Sequence, residues 1–235
     1  MRTGTHYRVL FCTVLLASCR SLEHGLSAGY YTIKTTSSAP KKVYAAVNDS
    51  TIAIYPLLDG ENKEVDTSKA SVISRVQAVP GGVSLPITLV KKNVDVDLTS
   101  VLFKYRFSNS SLPNQLNSNL NAAVYTGYRI DFFRLYDTAT PLKRKERRMR
   151  HFEVDGGLFA GIGSASINAS VTNNHLDVEY DGLVFQKGAA IFVGAGNLTL
   201  GIGLGADSLL DKNKSLWIYH QKLWLGLMVG INISG

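Results

Sequence analysis

The chain has 235 residues, of which 45% are hydrophobic and 18% are charged, and its mean hydropathy is +0.04. Beyond the N-terminal segment no run of about 20 apolar residues occurs, which excludes membrane-spanning helices there but leaves open a membrane β-barrel, because a barrel shows only half of its strand residues to lipid. Of the net charge of +7, +5 lies in one segment, residues 143–150, which argues against a nucleic-acid-binding domain, because such a domain spreads Lys and Arg over a whole face.

The N-terminus resembles an export signal. Arg2 and Arg8 precede an apolar run over residues 9–17, which is too short to cross a bilayer as a helix. Residues 16–19 (LASC) resemble the bacterial lipobox, in which small residues precede a cysteine that is diacylated before cleavage on its N-terminal side. We therefore predict a lipoprotein signal peptide over residues 1–18; an ordinary secretory signal cut nearby is the alternative.

Cysteine usage agrees with a lipid anchor. The two cysteines are Cys12, inside the predicted signal peptide, and Cys19, which becomes the first residue of the mature chain. No cysteine then remains for a disulfide, a thiolate metal site or a catalytic thiol. Each buried CH₂ of an attached lipid contributes about 0.8 kcal/mol to membrane binding, so several chains hold a protein at a membrane. We predict lipidation at Cys19 and a tether over residues 19–28.

Residues 29–57 are predicted to form a small β-meander. Short β-branched and aromatic runs at 30–34, 42–47 and 51–55 are separated by turn-forming residues. Three short strands are not stable alone, so we expect this meander to pack against the rest of the chain. A polar stretch over residues 58–68 leads into the second unit, which covers residues 69–235 and is predicted to be a β-barrel.

The strongest signal in the second unit is the alternation of apolar residues with small or polar ones. Every second residue from Leu198 to Ala206 is apolar, and residues 223–233 repeat the pattern. Such strands are typical of a barrel with lipid outside and polar groups inside. A soluble sandwich or barrel, in which the same apolar faces would form the core, is the alternative. The residues predicted to line the barrel interior are Lys104, Arg106, Arg129, Asp131 and Asp207.

Aromatic residues near the strand ends are expected to form the girdles that such barrels place at the membrane interfaces. These residues are Phe107, Phe133, Tyr136, Phe152, Trp217, Tyr219 and Trp224.

A strand count completes the predicted fold class: all-β, a small antiparallel membrane-type β-barrel of about eight strands, preceded by the meander. The interior of such a barrel is just wide enough for side chains to fill. Tight turns at 92–93 and 196–197 are expected at one end and the long loops at the other, but a long loop at 136–151 would share the end with short turns. The candidate strands are 69–78, 83–91, 95–107, 120–135, 152–165, 183–195, 197–209 and 222–233.

The positive charge of the mature chain is concentrated in residues 143–150 (KRKERRMR), which hold six basic residues and one acidic residue. Suitable partners are outer-membrane lipid, lipopolysaccharide phosphates or an acidic envelope protein; a solvated charge run is the alternative. The residues predicted to bind an anionic lipid or partner are Lys143, Arg144, Lys145, Arg147, Arg148 and Arg150.

No motif in the sequence indicates catalysis, since G-x-S-x-G, H-E-x-x-H, a P-loop and a cysteine cluster are all missing. His175 or Ser208 could serve an outer-membrane lipid-modifying enzyme, but we assign no catalytic residue and favour a non-enzymatic role. On a strand, the alternating His175, Asp177, Glu179 and Asp181 would place one imidazole and three carboxylates on one face, which can hold Ca²⁺. A solvated loop strand is the alternative, and we predict no metal and no cofactor.

Four features together resemble uncharacterised outer-membrane lipoprotein and β-barrel-like envelope proteins of the Bacteroidota. They are the lipobox at Cys19, the strand pair within residues 42–55, the tract Leu120 to Ile130 (LNAAVYTGYRI) and the Gly-rich closing strands. The resemblance implies an outer-membrane location and a β-barrel-like fold, and it brings no catalytic residue.

We therefore predict an outer-membrane-associated β-barrel lipoprotein with a structural or binding role, exported and anchored at Cys19. A soluble β-domain that is held only by its lipid and binds a ligand or partner is the alternative, and a lipid-modifying enzyme is a third hypothesis.

Overall fold

The computed structural model describes residues 25–36, 38–58, 64–74, 86–109, 112–142, 145–195 and 198–232. Within these residues the chain forms strands and two short 3₁₀ turns, at Thr67–Lys69 and Ser170–Thr172. The strands are β1 (Gly29–Thr35), β2 (Lys41–Val47), β3 (Thr51–Pro56), β4 (Ser71–Ser74), β5 (Ile87–Arg106), β6 (Gln115–Asn117), β7 (Asn121–Ala139), β8 (Lys145–Ile167), β9 (Tyr180–Ala195), β10 (Leu198–Leu209) and β11 (Leu223–Asn232).

Six strands close into a ring. Neighbours pair antiparallel in the order β5, β7, β8, β9, β10 and β11, and β11 pairs back to β5. The first four strands extend from β5 in the order β1, β2, β3 and β4, and we call them the side sheet. The predicted fold class is confirmed: the described chain is all-β, with a meander followed by a closed, β-barrel-like antiparallel ring.

The ring contains six strands in the described part of the chain, where the sequence count gave about eight. Residues 87–91 and 95–106 of two predicted strands, 83–91 and 95–107, belong to one continuous strand, β5, and residues 83–85 lie outside the described residues. The turn expected at 92–93 is wrong because Lys92 and Asn93 pair with β7. Predicted strand 69–78 contributes β4, which pairs with β3 in the side sheet. Strand β5 is long because one of its edges serves two partners, β1 near its start and β11 near its end.

The expectation of a long basic loop at 136–151 is also wrong. Strand β7 runs to Ala139 and β8 begins at Lys145, and these two residues are register partners, so the connection is a short hairpin. Strand β9 ends and β10 begins at this same end of the ring, where Ala195 and Leu198 are register partners, and the turn predicted at 196–197 lies outside the described residues. The long connections 107–120, 168–179 and 210–222 meet at the opposite end, which we call the loop end.

Among the described residues, buried hydrophobic side chains form three clusters. The first joins the side sheet to β5 and β7 through residues such as Tyr31, Ile52 and Phe133, as expected for a meander that cannot stand alone. The Tyr31 hydroxyl donates to Ser27 O at 2.6 Å, and burial raises the pKa of that phenol. The second cluster fills the ring with Val101, Ala123, Tyr125, Phe159, Ala190, Phe192, Trp224 and Met228. The third closes the loop end with Ala165, Ile167, Val171, Val184, Leu209, Trp217 and Tyr219.

Glycines give the ring its room for these aromatic side chains. A Cβ atom added at Gly205 would lie 2.5 Å from Trp224 Cζ2, and one added at Gly226 would lie 2.7 Å from Trp224 Cζ3. Because carbon atoms in contact need about 3.5–4.0 Å, a larger residue at either position would displace the indole.

A β-bulge in β5 sets which of its side chains enter the ring. The register with β11 shifts at Leu102, because Val101 and Phe103 face consecutive β11 residues. Val101 is therefore buried inside and Phe103 is 44% exposed outside, although residues two positions apart on a regular strand share a face. The same shift turns Lys104 and Arg106 inward.

Candidate functional site

The outer face of the ring is apolar. The sequence did not decide whether the apolar faces of the strands point outward or into a core, and in the structure they point outward. Ile191 on β9 and Ile202 on β10, which are register partners, are 64% and 62% exposed. Contiguous exposed apolar surface of this extent marks an interaction or membrane surface. We call this surface the apolar belt, and its members are Val94, Val96, Leu98, Leu102, Phe103, Val124, Tyr128, Phe152, Leu158, Ile162, Leu183, Phe185, Ile191, Val193, Leu200, Ile202, Leu204, Leu223, Leu225, Leu227 and Ile231.

Lys187 interrupts the apolar belt on β9. Its register partners are Ala160 on β8 and Ala206 on β10. Such small neighbours leave space for a lysine stem to lie along the surface while the ammonium group reaches toward water.

Arginines border the apolar belt on the hairpin side. Register pairs on the outer face of β7 and β8 run from Phe132 with Phe152, through Arg134 with Arg150, to Tyr136 with Arg148. The two phenyl rings lie 6.3 Å apart, and the Arg150 guanidinium lies 5.4 Å from the Tyr136 ring centre. Like charges in directly opposed positions destabilise a sheet, so an anion at this place would relieve their repulsion. We call this surface the basic band; it consists of Arg134, Arg148 and Arg150.

The structure separates the residues predicted to bind an anionic partner. Arg148 and Arg150 lie in the basic band, and Lys145 is exposed at the start of β8. Arg147 instead donates to Asp137 Oδ1 at 3.0 Å and to the carbonyl of Ser74 at 3.0 Å. Lys143 and Arg144 lie outside the described residues, as does Cys19, the predicted lipidation site. The sequence search missed Arg134, although its alternation with the aromatic residues of β7 could have revealed it.

A network of ionisable groups lies inside the ring on the side-sheet side. The Arg129 guanidinium contacts Asp95 through Nη1 at 3.1 Å and Asp131 through Nε at 3.4 Å. His151 Nε2 lies 2.9 Å from Asp131 Oδ1 and 3.8 Å from Glu153 Oε2. Arg129 and Asp131, which the sequence assigned to the interior, are thus buried here. We call this the acidic network, and its members are Asp95, Asp97, Arg129, Asp131, His151, Glu153 and Asp155.

Three members of the acidic network could hold a metal ion by their chemistry. Asp131, His151 and Glu153 each offer a ligand atom, and these atoms lie within 4.8 Å of one another. However, Asp131 already has the Arg129 guanidinium beside one oxygen and the His151 imidazole beside the other. Both oxygens of Asp131 therefore already have partners within the chain. The sequence search missed His151 and Glu153, although their i, i+2 spacing on a strand is a usable signal.

Another ionic cluster lies deeper in the ring, toward the loop end, around Asp207. This carboxylate accepts hydrogen bonds from Lys104 Nζ at 2.9 and 3.0 Å, from Trp224 Nε1 at 2.9 Å and from Arg106 Nη2. All four side chains are buried. The structure therefore brings together Lys104, Arg106 and Asp207, three residues that the sequence assigned separately to the interior.

A pocket opens above this cluster at the loop end. The Arg106 guanidinium lies 5.2 Å from the ring centre of Trp217 and 5.1 Å from that of Tyr219. The cavity has a volume of about 530 Å³. We call it the loop-end pocket, and its lining residues include Arg106, Leu112, Gln115, Asn117, Asn119, Ser166, Ser170, Val171, Trp217 and Tyr219.

Some predicted positions are corrected. Seven aromatic residues were expected in the outer girdles. Of these, Phe133, Trp217, Tyr219 and Trp224 are buried, whereas Phe107 and Phe152 are exposed on the outside. The sequence search missed the loop-end pocket because three connections far apart in the chain build it.

The possible cation site at His175 does not form as a strand face. Residues 175–179 are not in a strand, because β9 begins only at Tyr180. His175 Nδ1 lies 2.8 Å from the carbonyl oxygen of Thr172, so this side chain closes the turn after the second 3₁₀ segment.

Across the described residues, no helix has the length and apolar character needed to cross a bilayer. No protein-family model, curated protein or solved structure matches the sequence or the fold.

Proposed function

We propose that this protein is an exported outer-membrane lipoprotein whose ring lies in the bilayer, with a structural or binding role. The observation that carries the proposal is the apolar belt on the outside of the ring, whose interior holds buried ionic groups beside its hydrophobic cluster. Burial of apolar surface is favourable by about 25 cal/mol per Å², and lipid can cover the apolar belt on all sides. The lipid anchor at Cys19 and the likeness to Bacteroidota envelope proteins belong to the same proposal.

Strand length supports the same assignment. Strand β10 has 12 residues. At a rise of about 3.3 Å per residue and a tilt of about 40°, a strand of this length covers roughly 30 Å along the membrane normal, enough for an apolar band of about 25 Å. Several polar groups inside the ring are paired there, as in the cluster around Asp207, which the bilayer requires of groups that water cannot reach.

The position of the basic band indicates which end of the ring meets lipid headgroups and which headgroup chemistry it binds. Arg134, Arg148 and Arg150 adjoin the aromatic pair Phe132 and Phe152 at the edge of the apolar belt. Guanidinium groups bind phosphate through two parallel hydrogen bonds, and interfacial aromatics mark the headgroup level. We propose that the basic band binds lipid phosphates on the hairpin side of the membrane.

Membrane retention without the lipid anchor tests the first proposal. A Cys19→Ala protein that carries a conventional signal peptide is expected to stay with the outer membrane after high-salt and carbonate washes, because the ring itself is embedded. Its unheated form is expected to migrate differently from the heated form on gels. Release as a soluble protein would show instead that a lipid tether alone holds a soluble β-domain.

Charge removal from the basic band tests the proposed lipid contact. The triple variant Arg134→Gln, Arg148→Gln and Arg150→Gln is expected to lose about a hundredfold in affinity for phosphatidylglycerol, since each basic residue near an anionic surface contributes about 1 kcal/mol. Affinity is measured as stabilisation of the detergent-purified protein by added phosphatidylglycerol against phosphatidylcholine, at low and high salt.

A matched control removes the same charge at the loop end. Lys212, Lys214 and Lys222 are exposed there, and their replacement by Gln is expected to leave the phosphatidylglycerol response unchanged. If the band variant responds like the wild type with its salt dependence intact, the basic band does not bind lipid phosphate.

A further inference from the structure

We infer that the loop-end pocket binds a small molecule carrying an oxyanion, a phosphate or carboxylate group, through Arg106, Trp217 and Tyr219. This site lies at the opposite end of the ring from the basic band, and none of its three residues belongs to the apolar belt. The inference therefore goes beyond the proposed membrane role.

Hydrogen-bond donors without acceptors point to a ligand. Arg106 Nη1, Trp217 Nε1 and the Tyr219 hydroxyl are shielded from solvent and have no hydrogen-bond partner among the described residues. The three residues are only 3–4% exposed. Roughly nine in ten buried polar groups of folded proteins have a partner, so three such donors on one cavity indicate that an acceptor belongs there.

The local charge indicates that this acceptor is an anion. Arg106 and Lys104 share a single carboxylate, that of Asp207, and all three are buried. Two cations against one anion leave a positive excess, and a buried charge is stable only when it is paired. The Arg106 guanidinium lies 5.2 and 5.1 Å from the ring centres of Trp217 and Tyr219, and its Nη1 has no hydrogen-bond partner among the described residues. An oxyanion would accept from this nitrogen and neutralise the excess charge.

The other lining residues of the pocket restrict the size and chemistry of the rest of the ligand. Asn117 Oδ1, on the same cavity, is a buried acceptor without a donor among the described residues, so it suits an N–H or O–H group beside the oxyanion. Leu112 and Val171 supply apolar contacts. A cavity of about 530 Å³ is in the range of small-molecule sites and holds a small organic phosphate or carboxylate.

The experiment uses the full-length protein in detergent, with inorganic phosphate and acetate as probes at constant ionic strength set by chloride. Tyr219→Phe removes one donor that has no protein partner, so this variant is expected to melt close to the wild-type temperature when no probe is present. Trp217→Phe also removes part of a buried indole from the loop-end cluster, so it is expected to melt lower, and its probe response is compared with its own probe-free melting temperature. In the wild type, phosphate or acetate is expected to raise the melting temperature saturably. Each variant is expected to need about tenfold more probe for the same rise, since one lost hydrogen bond to a charged group is about a tenfold change.

Tyr180→Phe is the matched control. The Tyr180 hydroxyl lies at the same end but donates to Asp211 Oδ2 at 2.7 Å and accepts from Asn213 at 2.8 Å, so its loss is expected to lower stability without changing the probe response. A response to phosphate alone identifies a phosphate ligand, and a response to acetate alone identifies a carboxylate ligand. The inference is overturned if neither probe stabilises the wild type, or if Tyr219→Phe and Trp217→Phe respond to the probes as the wild type does. Either result leaves membrane retention of the ring unaffected, so the two proposals fail separately.

Discussion

Ile202→Arg is expected to lower the stability of the ring in a bilayer by about 2–4 kcal/mol, the cost of an arginine on the lipid face of a membrane barrel near the bilayer midplane. Ile202 is 62% exposed near the middle of β10, with Leu200 and Leu204 beside it on the same face. In a soluble protein the same change would replace an exposed apolar side chain by a charged one and alter stability by no more than about 0.5 kcal/mol. The substitution therefore separates the two readings of the apolar belt.

The measurement is a urea titration of the protein folded into phosphatidylcholine vesicles, followed by gel mobility without heating. Leu142→Arg is the matched control, because Leu142 is 77% exposed in the turn between β7 and β8, beyond the apolar belt. This control is expected to unfold at the wild-type urea concentration. Equal midpoints for the two arginine variants and the wild type would contradict a lipid-facing belt.

Asp207→Asn is expected to destabilise the protein by about 3–5 kcal/mol, because it leaves two buried cations without their counter-charge. The Asp207 carboxylate accepts from Lys104, Arg106 and Trp224, and its own side chain is fully buried. Asparagine keeps the size of the side chain but offers only one acceptor oxygen and no charge. Denaturant unfolding of the detergent-purified variant measures the loss.

Asp137→Asn provides the comparison at an accessible position. Asp137 pairs with Arg147 at 3.0 Å, and its side chain is 24% exposed, so the expected cost is about 0–1 kcal/mol. Adding Lys104→Met to Asp207→Asn is expected to recover part of the lost stability, because it removes one unpaired buried cation. If Asp207→Asn costs no more than Asp137→Asn, then the cluster around Asp207 does not hold the ring together.

The sequence was most informative where a local pattern decides the outcome. A strand alternates its side chains between two faces, so the period of two in residues 198–206 and 223–233 was enough to define β10, β11 and the composition of their faces. The same local argument placed Lys104, Arg106, Arg129, Asp131 and Asp207 opposite the apolar residues of their strands, and all five are buried in the structure.

Features that depend on pairing between distant strands did not follow from these patterns. The alternation in residues 87–106 does not say whether the chain turns at 92–93 or continues, and β5 continues because β1, β7 and β11 all pair with it. The inward position of Val101 also depends on pairing. It results from the bulge at Leu102, which is a shift in register relative to β11 and so exists only once β5 and β11 are paired.

By itself, the sequence determined that this chain is built of antiparallel strands with one apolar and one polar face, because that alternation is set by backbone geometry within each strand. Only the tertiary structure decided that the ring closes with six strands and that its apolar faces point outward. It also decided that Arg106, Trp217 and Tyr219 converge at the loop end, because closure and convergence depend on contacts between residues more than 100 positions apart.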